Sequence, residues 1–213
     1  MFQSFIYLLI IIYKARANTG QKSKVKGQGI VQEVVTVMRE NFDLKKFSRQ
    51  KSNGTSRLIL FRHDPNDPAL VDARRWLERE IWPHIQTFNP QAELKIIENL
   101  SGDQLLAEYE AARLIIFPVR LPLLKSARPV LEAMAMGLPL VVTSAFLQCS
   151  VVKEALPGLT LGDHYVRADT AESFGALAAR LLEIRSPWLH LSKKGRQYVE
   201  VWMKDESETI PEI

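Results

Sequence analysis

The chain has a single cysteine, Cys149, in 213 residues. No internal disulfide is open to it, and with no CxxC pattern or Cys/His cluster nearby a structural zinc site is excluded as well. Cys149 reads as a small buried hydrophobe, and the chain as a protein of a reducing, cytoplasmic compartment. The four histidines, His63, His84, His164 and His190, show no spacing that would bring several ligands onto one metal ion. Long apolar runs are lacking too. The segment Phe5 to Tyr13 (FIYLLIIIY) falls well short of the roughly 20 residues that a spanning helix needs. A secretory signal carries its positive charge before the apolar run, whereas Lys14, Arg16, Lys22, Lys24 and Lys26 all follow it. Two readings stay open. One is a surface anchor at the inner face of a membrane, with the lysines meeting anionic lipid; the other is the edge of a longer or split protein.

Acidic residues are scarce only at one end. Residues 1–57 carry 11 Lys/Arg against 3 Asp/Glu, while residues 58–213 carry 17 against 21. The basic character therefore belongs to the N-terminal segment. The body of the chain is mildly acidic and holds no RNP, zinc-finger or helix-turn-helix pattern, so no nucleic-acid partner is expected.

From Arg57 onward, short runs of branched residues alternate with helical periodicity, the pattern of a parallel sheet flanked by helices. LILF (58–61), ELKII (93–97), LIIF (114–117), LPLVV (138–142) and a short strand near Tyr165 are the expected strands. Leu70, Ala73, Leu77, Ile81 and Ile85 set a helix over 69–87. Ser101 and Gln104 have capping-box spacing ahead of a helix ending at Ala112. Pro129 suits the first turn of a further helix and Gly137 the left-handed position beyond its end. Helices over 148–156 and 171–185, and a last one from Ser186 to Met203, complete the α/β pattern, and the acidic tail 205–213 is expected to fray. Trp76, Trp82, Trp188 and Trp202 fall on helical segments and read as packing residues.

In such sheets ligands bind beyond the carboxyl ends of the strands. LIIF leads directly into PVRLPLLKSARP, which carries Arg120, Lys125 and Arg128 and then Glu132 one turn into the next helix. Cations beside a helix N-terminus suit a diphosphate, and a glutamate suits a neutral diol such as a ribose. The plainer alternative is a solvated loop with Glu132 complementing the helix dipole. Ser126 lacks a neighbouring base and orienting acid, so it is no nucleophile. His63, just after a strand, reads as a solvated turn residue, with ligand contact the alternative.

RPVLEAMAMGLPLVVTS resembles the LEAMAxGxPVVxT signature of the retaining GT-B glycosyltransferases of family four. VVTVMRENFDLKKF (34–47) is similar to that family's interdomain segment, with Asn41, Asp43 and Phe47 in step. LILFRHDPNDPALVDARRWLEREIWPHI looks like its PNxDAxxWFxxEIWP branch, and the stretch from ADTAESFGALAARLLE to LSKKGRQYV like its closing helices. The resemblance covers about residues 31–202. It implies the C-terminal, donor-binding half of a GT-B fold, organised as a terminal segment 1–30, an interdomain-like segment 31–56 and a Rossmann-like domain 57–204.

The resemblance implies further that Glu132 holds the nucleotide ribose, that Lys125 and Arg120 face the diphosphate with Ser126 in the same donor site, and that the donor is a UDP- or GDP-sugar with no cofactor or metal. The acceptor would be a glycan, a lipid or a small molecule, bound mainly by an N-terminal half that is either lost by truncation or a separate chain. The catalytic residues stay unassigned. Two positions depart from the pattern. Leu124 stands where the family's first glutamate lies, a carboxylate that some members of the same branch also lack, and Arg62-His63 with an acidic turn replaces the usual Gly-Arg and Lys, leaving Arg62 either to serve phosphate or to be solvated. A sugar-nucleotide epimerase of the same architecture and a non-catalytic nucleotide-sugar or protein-binding module are the competing functions.

Overall fold

The computed structural model describes residues 42–47, 55–123 and 127–204. The chain divides into two units, Met1–Phe42 and Asp43–Ile213, and every element below lies in the second. The expectations for the N-terminal apolar run, Asn41, Leu124, Lys125, Ser126 and the acidic tail fall outside the described residues.

β1 (Leu58–His63), β2 (Glu93–Glu98), β3 (Leu114–Phe117), β4 (Leu140–Val142) and β5 (Tyr165–Arg167) form one parallel sheet in the order β2-β1-β3-β4-β5. The fold is α/β and Rossmann-like, as the sequence pattern requires. β3 and β4 are buried along their whole length, which is why they read as unbroken branched runs: helices cover both faces. β2, at the edge, instead turns Glu93 and Lys95 to solvent. Ile59, Leu114, Ile115, Ile116 and Val141 are fully buried, each worth about 1.5–3 kcal/mol relative to exposure.

The first crossover combines α1 (Pro68–Trp76), a π-helical turn Leu77–Ile81 and α2 (Trp82–Phe88). Asp67 caps α1 by accepting from the Ala69 N–H at 3.0 Å, and Pro68 occupies the first turn, where its absent N–H costs nothing. Regular spacing predicts an uninterrupted helix here; the π turn is the departure. Its five-residue repeat matches the interval from Trp76 to Ile81, so that Trp76, Ile81 and Ile85 are all buried. Trp76 packs edge-on against Phe174 at 5.7 Å between centroids.

α3 (Gly102–Ala111) starts at Ser101 as expected, but without the capping box: the Ser101 side chain makes no cap hydrogen bond. Gly102 has φ of +57°, outside the helical conformation that the residue after a capping serine must adopt. α4 (Arg128–Ala135) ends as expected. Gly137 has φ of +65°, and the Gly137 and Leu138 N–H groups donate to Met134 O and Ala133 O, each at 2.9 Å, which is the Schellman arrangement.

The single helix expected over 148–156 is two, α5 (Ser144–Gln148) and α6 (Ser150–Ala155). Thr143 caps the first through Phe146 N–H at 3.0 Å, starting it earlier than apolar periodicity suggests. α7 (Ala171–Glu183) and α8 (Arg185–Lys204) close the domain, α7 packed on α2 and α8 on α4. Arg196 of α8 donates to Ala135 O at 2.7 Å and to Phe47 O at 2.5 Å, satisfying a carbonyl at the end of α4 and fastening the 43–47 segment to the domain. Trp76, Trp188 and Trp202 are buried and Trp82 half-buried.

Candidate functional site

The chain runs from β1 outward to β2 and then returns past β1 to β3, so the strand order reverses between β1 and β3. A crevice opens beyond the carboxyl ends of strands at such a reversal. Arg62 and His63 end β1, the segment from Pro118 leaves β3, and α4 begins at Arg128 beside them.

Three elements converge there on one carboxylate. Glu132 of α4 is buried, with its side chain only 2% exposed. Arg62 Nη1 donates to Glu132 Oε2, and Arg128 Nε donates to Oε1 at 2.8 Å. Tyr109 of α3 accepts from Arg62 Nη1 and donates its O–H to Glu132 Oε2, both at 3.3 Å. The guanidiniums reach outward: the Arg62 side chain is 28% exposed and that of Arg128 47%. Burial would lower the Arg62 pKa, but Tyr109 and Glu132 beside it outweigh burial and hold it above its ordinary value. Burial, and then the charge of Glu132, push the Tyr109 phenol well up. Arg62 is thus always charged and Tyr109 always a donor at neutral pH.

Arg120 is held differently. Its Nε and Nη2 donate to the two oxygens of Asp72 on α1 at 3.1 and 3.0 Å, and its guanidinium carbon lies 4.7 Å from the Trp76 ring centroid. The geometry is a bidentate pair stacked on an aromatic face. Arg62, Arg128 and Glu132 are therefore brought together, and Arg120 is drawn to a neighbouring helix.

His63 is not the solvated turn residue that the sequence suggests. Its side chain is 5% exposed, with Nε2 3.8 Å from Glu98 Oε1, and Nδ1 is buried with no hydrogen-bond partner among the described residues. Strand alternation turns it to the face opposite Arg62.

The loops framing the crevice are pinned. The Thr143 hydroxyl donates to Val119 O, tying the exit of β3 to the start of α5. Ser144 donates through N–H and O–H to the two oxygens of Asp169 at 2.7 and 2.8 Å, tying the ends of β4 and β5. Cys149 is buried as expected, and its sulfur accepts from the Leu123 N–H at 3.4 Å.

Sequence reasoning missed Tyr109 and Asp72. Tyr109 sits four residues after Leu105 on the buried face of α3 and looks like any core aromatic; its hydroxyl matters only because Glu132 and Arg62 arrive from 23 and 47 residues away. A cavity of about 410 Å³ lies elsewhere, by the amino end of β5, lined by Gly162, Val166, Arg180, Leu181 and His190 among others, and holds none of these residues.

No protein-family profile matches the chain, and no curated protein matches it. Solved structures do. The crystal structure of TarM aligns over 74% of this chain and 36% of its own length, with a TM-score of 0.51 and 11% identity. A glycosyltransferase from Rickettsia africae aligns over 82% and 53%, with a TM-score of 0.46 and 15% identity. Sucrose-phosphate synthase from Thermosynechococcus elongatus aligns over 81% and 38%, at 0.43 and 18%. At such identities the likeness to TarM establishes the α/β Rossmann-like fold. The chain spans between about a third and about half the length of these structures.

Proposed function

We propose that this chain is the donor-binding, C-terminal part of a GT-B glycosyltransferase of the family-four type, acting in transfer of a sugar from a nucleoside diphosphate to a glycan, lipid or small acceptor. The observation that carries this reading is the convergence of Arg62, Arg128 and the buried Glu132 at the strand-order reversal, on the helix whose sequence LEAMAMG resembles the family signature. Glycosyltransferase is also the named activity of a protein among the structural neighbours. In the proposed complex Glu132 accepts from the ribose hydroxyls, and Arg62 and Arg128 meet the diphosphate. Lys125 and Ser126 complete that face from the adjoining loop, and Arg120 joins it by leaving Asp72.

Such a site supplies charge stabilisation to a departing diphosphate without a metal or cofactor. The acceptor and the retaining course belong to the whole enzyme, with the partner half on the same or a separate chain. The domain organisation 1–30, 31–56 and 57–204 and a peripheral place on a membrane are parts of the same proposal; no helix among the described residues is long and apolar enough to cross a bilayer.

A non-catalytic nucleotide-sugar module is the second reading, favoured by Leu124 at the position of the family's sugar-contacting glutamate. Calorimetric titration with UDP, GDP and ADP tests the shared premise. At least one binds, and Arg62→Ala weakens it about tenfold or more, as expected for loss of a charge-assisted contact. No heat from any of the three at millimolar concentration, with a folded domain, sinks both readings. Release of nucleoside diphosphate from UDP- and GDP-sugars in the presence of acceptor separates the enzyme from the module.

A further inference from the structure

The carboxylate assigned to the ribose is already occupied. Both Glu132 oxygens are engaged, Oε1 by Arg128 and Oε2 by Arg62 and Tyr109, and the side chain is 2% exposed. A neutral diol cannot displace two guanidiniums from a buried carboxylate, because it brings no charge to replace them and leaves them uncompensated. A diphosphate can, since it offers the guanidiniums several anionic oxygens.

We infer that Glu132 is a specificity lock: it holds Arg62 and Arg128 against itself until a ligand supplies an anionic group for the arginines and a hydroxyl pair for the carboxylate together. This rests on the proposed reading of the site and deepens it. The lock selects nucleoside diphosphates over their two halves. A free nucleoside does not open it. Inorganic pyrophosphate opens it only by stranding the carboxylate, so its affinity is held down. Tyr109 is the positioning residue, because its protonated hydroxyl remains on Oε2 when Arg62 departs and keeps that oxygen hydrogen-bonded.

The geometry supports an exchange rather than an unfolding. Glu132 is anchored in the middle of α4, an eight-residue helix with Pro129 in its first turn. Arg62 and Arg128 are the more exposed partners, and both have the reach to swing outward while the carboxylate stays. The pinned loops, Val119 to Thr143 and Ser144 to Asp169, hold the frame in which the exchange occurs.

The test turns on a change of sign. Substituting a ligand-contacting glutamate ordinarily weakens every ligand. Glu132→Gln here keeps the shape, removes the competing charge, and strengthens inorganic pyrophosphate by about threefold to tenfold, the range of ion pairs of this partial exposure. The preference for UDP, GDP or ADP over pyrophosphate falls in the same variant. Calorimetry on the wild-type chain and the variant, with uridine as the uncharged arm and circular dichroism as the fold check, reads all of these.

Weaker or equal pyrophosphate binding by folded Glu132→Gln overturns the lock, and so does binding of uridine alone by the wild type. If the variant does not fold, Arg128→Ala, which alters an exposed partner, weakens pyrophosphate; unchanged affinity overturns the inference. Failure of pyrophosphate and all three nucleotides to bind the wild type, together with failure of pyrophosphate to bind Glu132→Gln, removes the proposed site itself, a result distinct from an unlocked but competent site.

Discussion

Arg62 and Glu132, 70 residues apart in the chain, meet as an ion pair that joins the end of the first strand to the middle of α4. Neither strand nor helix periodicity brings them together. Tyr109 completes the junction from a third element, so the crevice wall is fixed by one polar network within an apolar core.

That network makes Tyr109→Phe informative. The substitution keeps the ring and deletes one hydroxyl that both accepts and donates. A loss of about 1 kcal/mol is expected, the usual net worth of a buried hydrogen bond, with more if Glu132 is left short of a donor. Urea denaturation measures it, and an unchanged midpoint at constant slope rules out a structural role for the hydroxyl.

Gly175 on α7 faces α2 closely enough that an added Cβ would lie 2.9 Å from His84 Cβ and 3.0 Å from its backbone carbon. Alanine is the better helix former by about 1 kcal/mol, but these neighbours cannot swing aside, and overpacking costs about 1–3 kcal/mol. Gly175→Ala is therefore expected to destabilise the domain, as read by thermal or urea unfolding. Gly137→Ala destabilises for another reason: φ is +65° and the new carbon meets Ser192 Oγ at 2.7 Å, adding clash to left-handed strain of about 1–2 kcal/mol. A stability gain in either variant refutes the packing described.

His164 sets a pH dependence. Its Nδ1 accepts from the Thr160 N–H at 2.8 Å, and its ring lies 5.0 Å from that of Tyr198. Burial holds its pKa below the ordinary 6.5, with Asp163 opposing and Lys194 adding to the shift. The unfolded chain therefore takes up the proton first. The stabilisation is complete above pH 6.5 and declines as the pH falls through the window just below it. Asp163, whose pKa is lowered chiefly by its hydrogen bond to His190, keeps its contribution until the pH falls below the ordinary carboxylate range. Unfolding curves between pH 5 and 8 are expected to show the decline in the wild type and its loss in His164→Gln; parallel curves refute it.

The sheet was legible because branched runs buried on both faces leave an unmistakable trace: LIIF and the LVV of LPLVV emerge as β3 and β4, and Pro129 and Gly137 bracket α4. The Ser101 spacing suggests a cap that does not form, because Gly102 permits a conformation that no local pattern announces. The π turn at Leu77–Ile81 leaves no mark in the periodicity, because its five-residue repeat is seen only once the buried partners are known. Within the candidate site, the sequence singles out both Glu132 and Arg62 but not their mutual pairing, since it depends on which faces of β1 and α4 approach each other. Arg120 illustrates the converse: its loop position suggested the crevice, and Asp72 with Trp76 holds it on α1.

The central claim is that a nucleoside diphosphate binds where β1 and β3 part, and amide chemical-shift mapping of the labelled chain during titration with UDP, GDP or ADP tests it most directly. The account predicts amide shifts clustered at Arg62, Val119 and Arg120, Lys125 and Ser126, and the non-proline residues of the Arg128–Glu132 turn, with the Arg62 guanidinium signals moving as the ion pair to Glu132 exchanges. Shifts clustered instead around Gly162, Arg180 and His190, or none at saturating nucleotide, would contradict it.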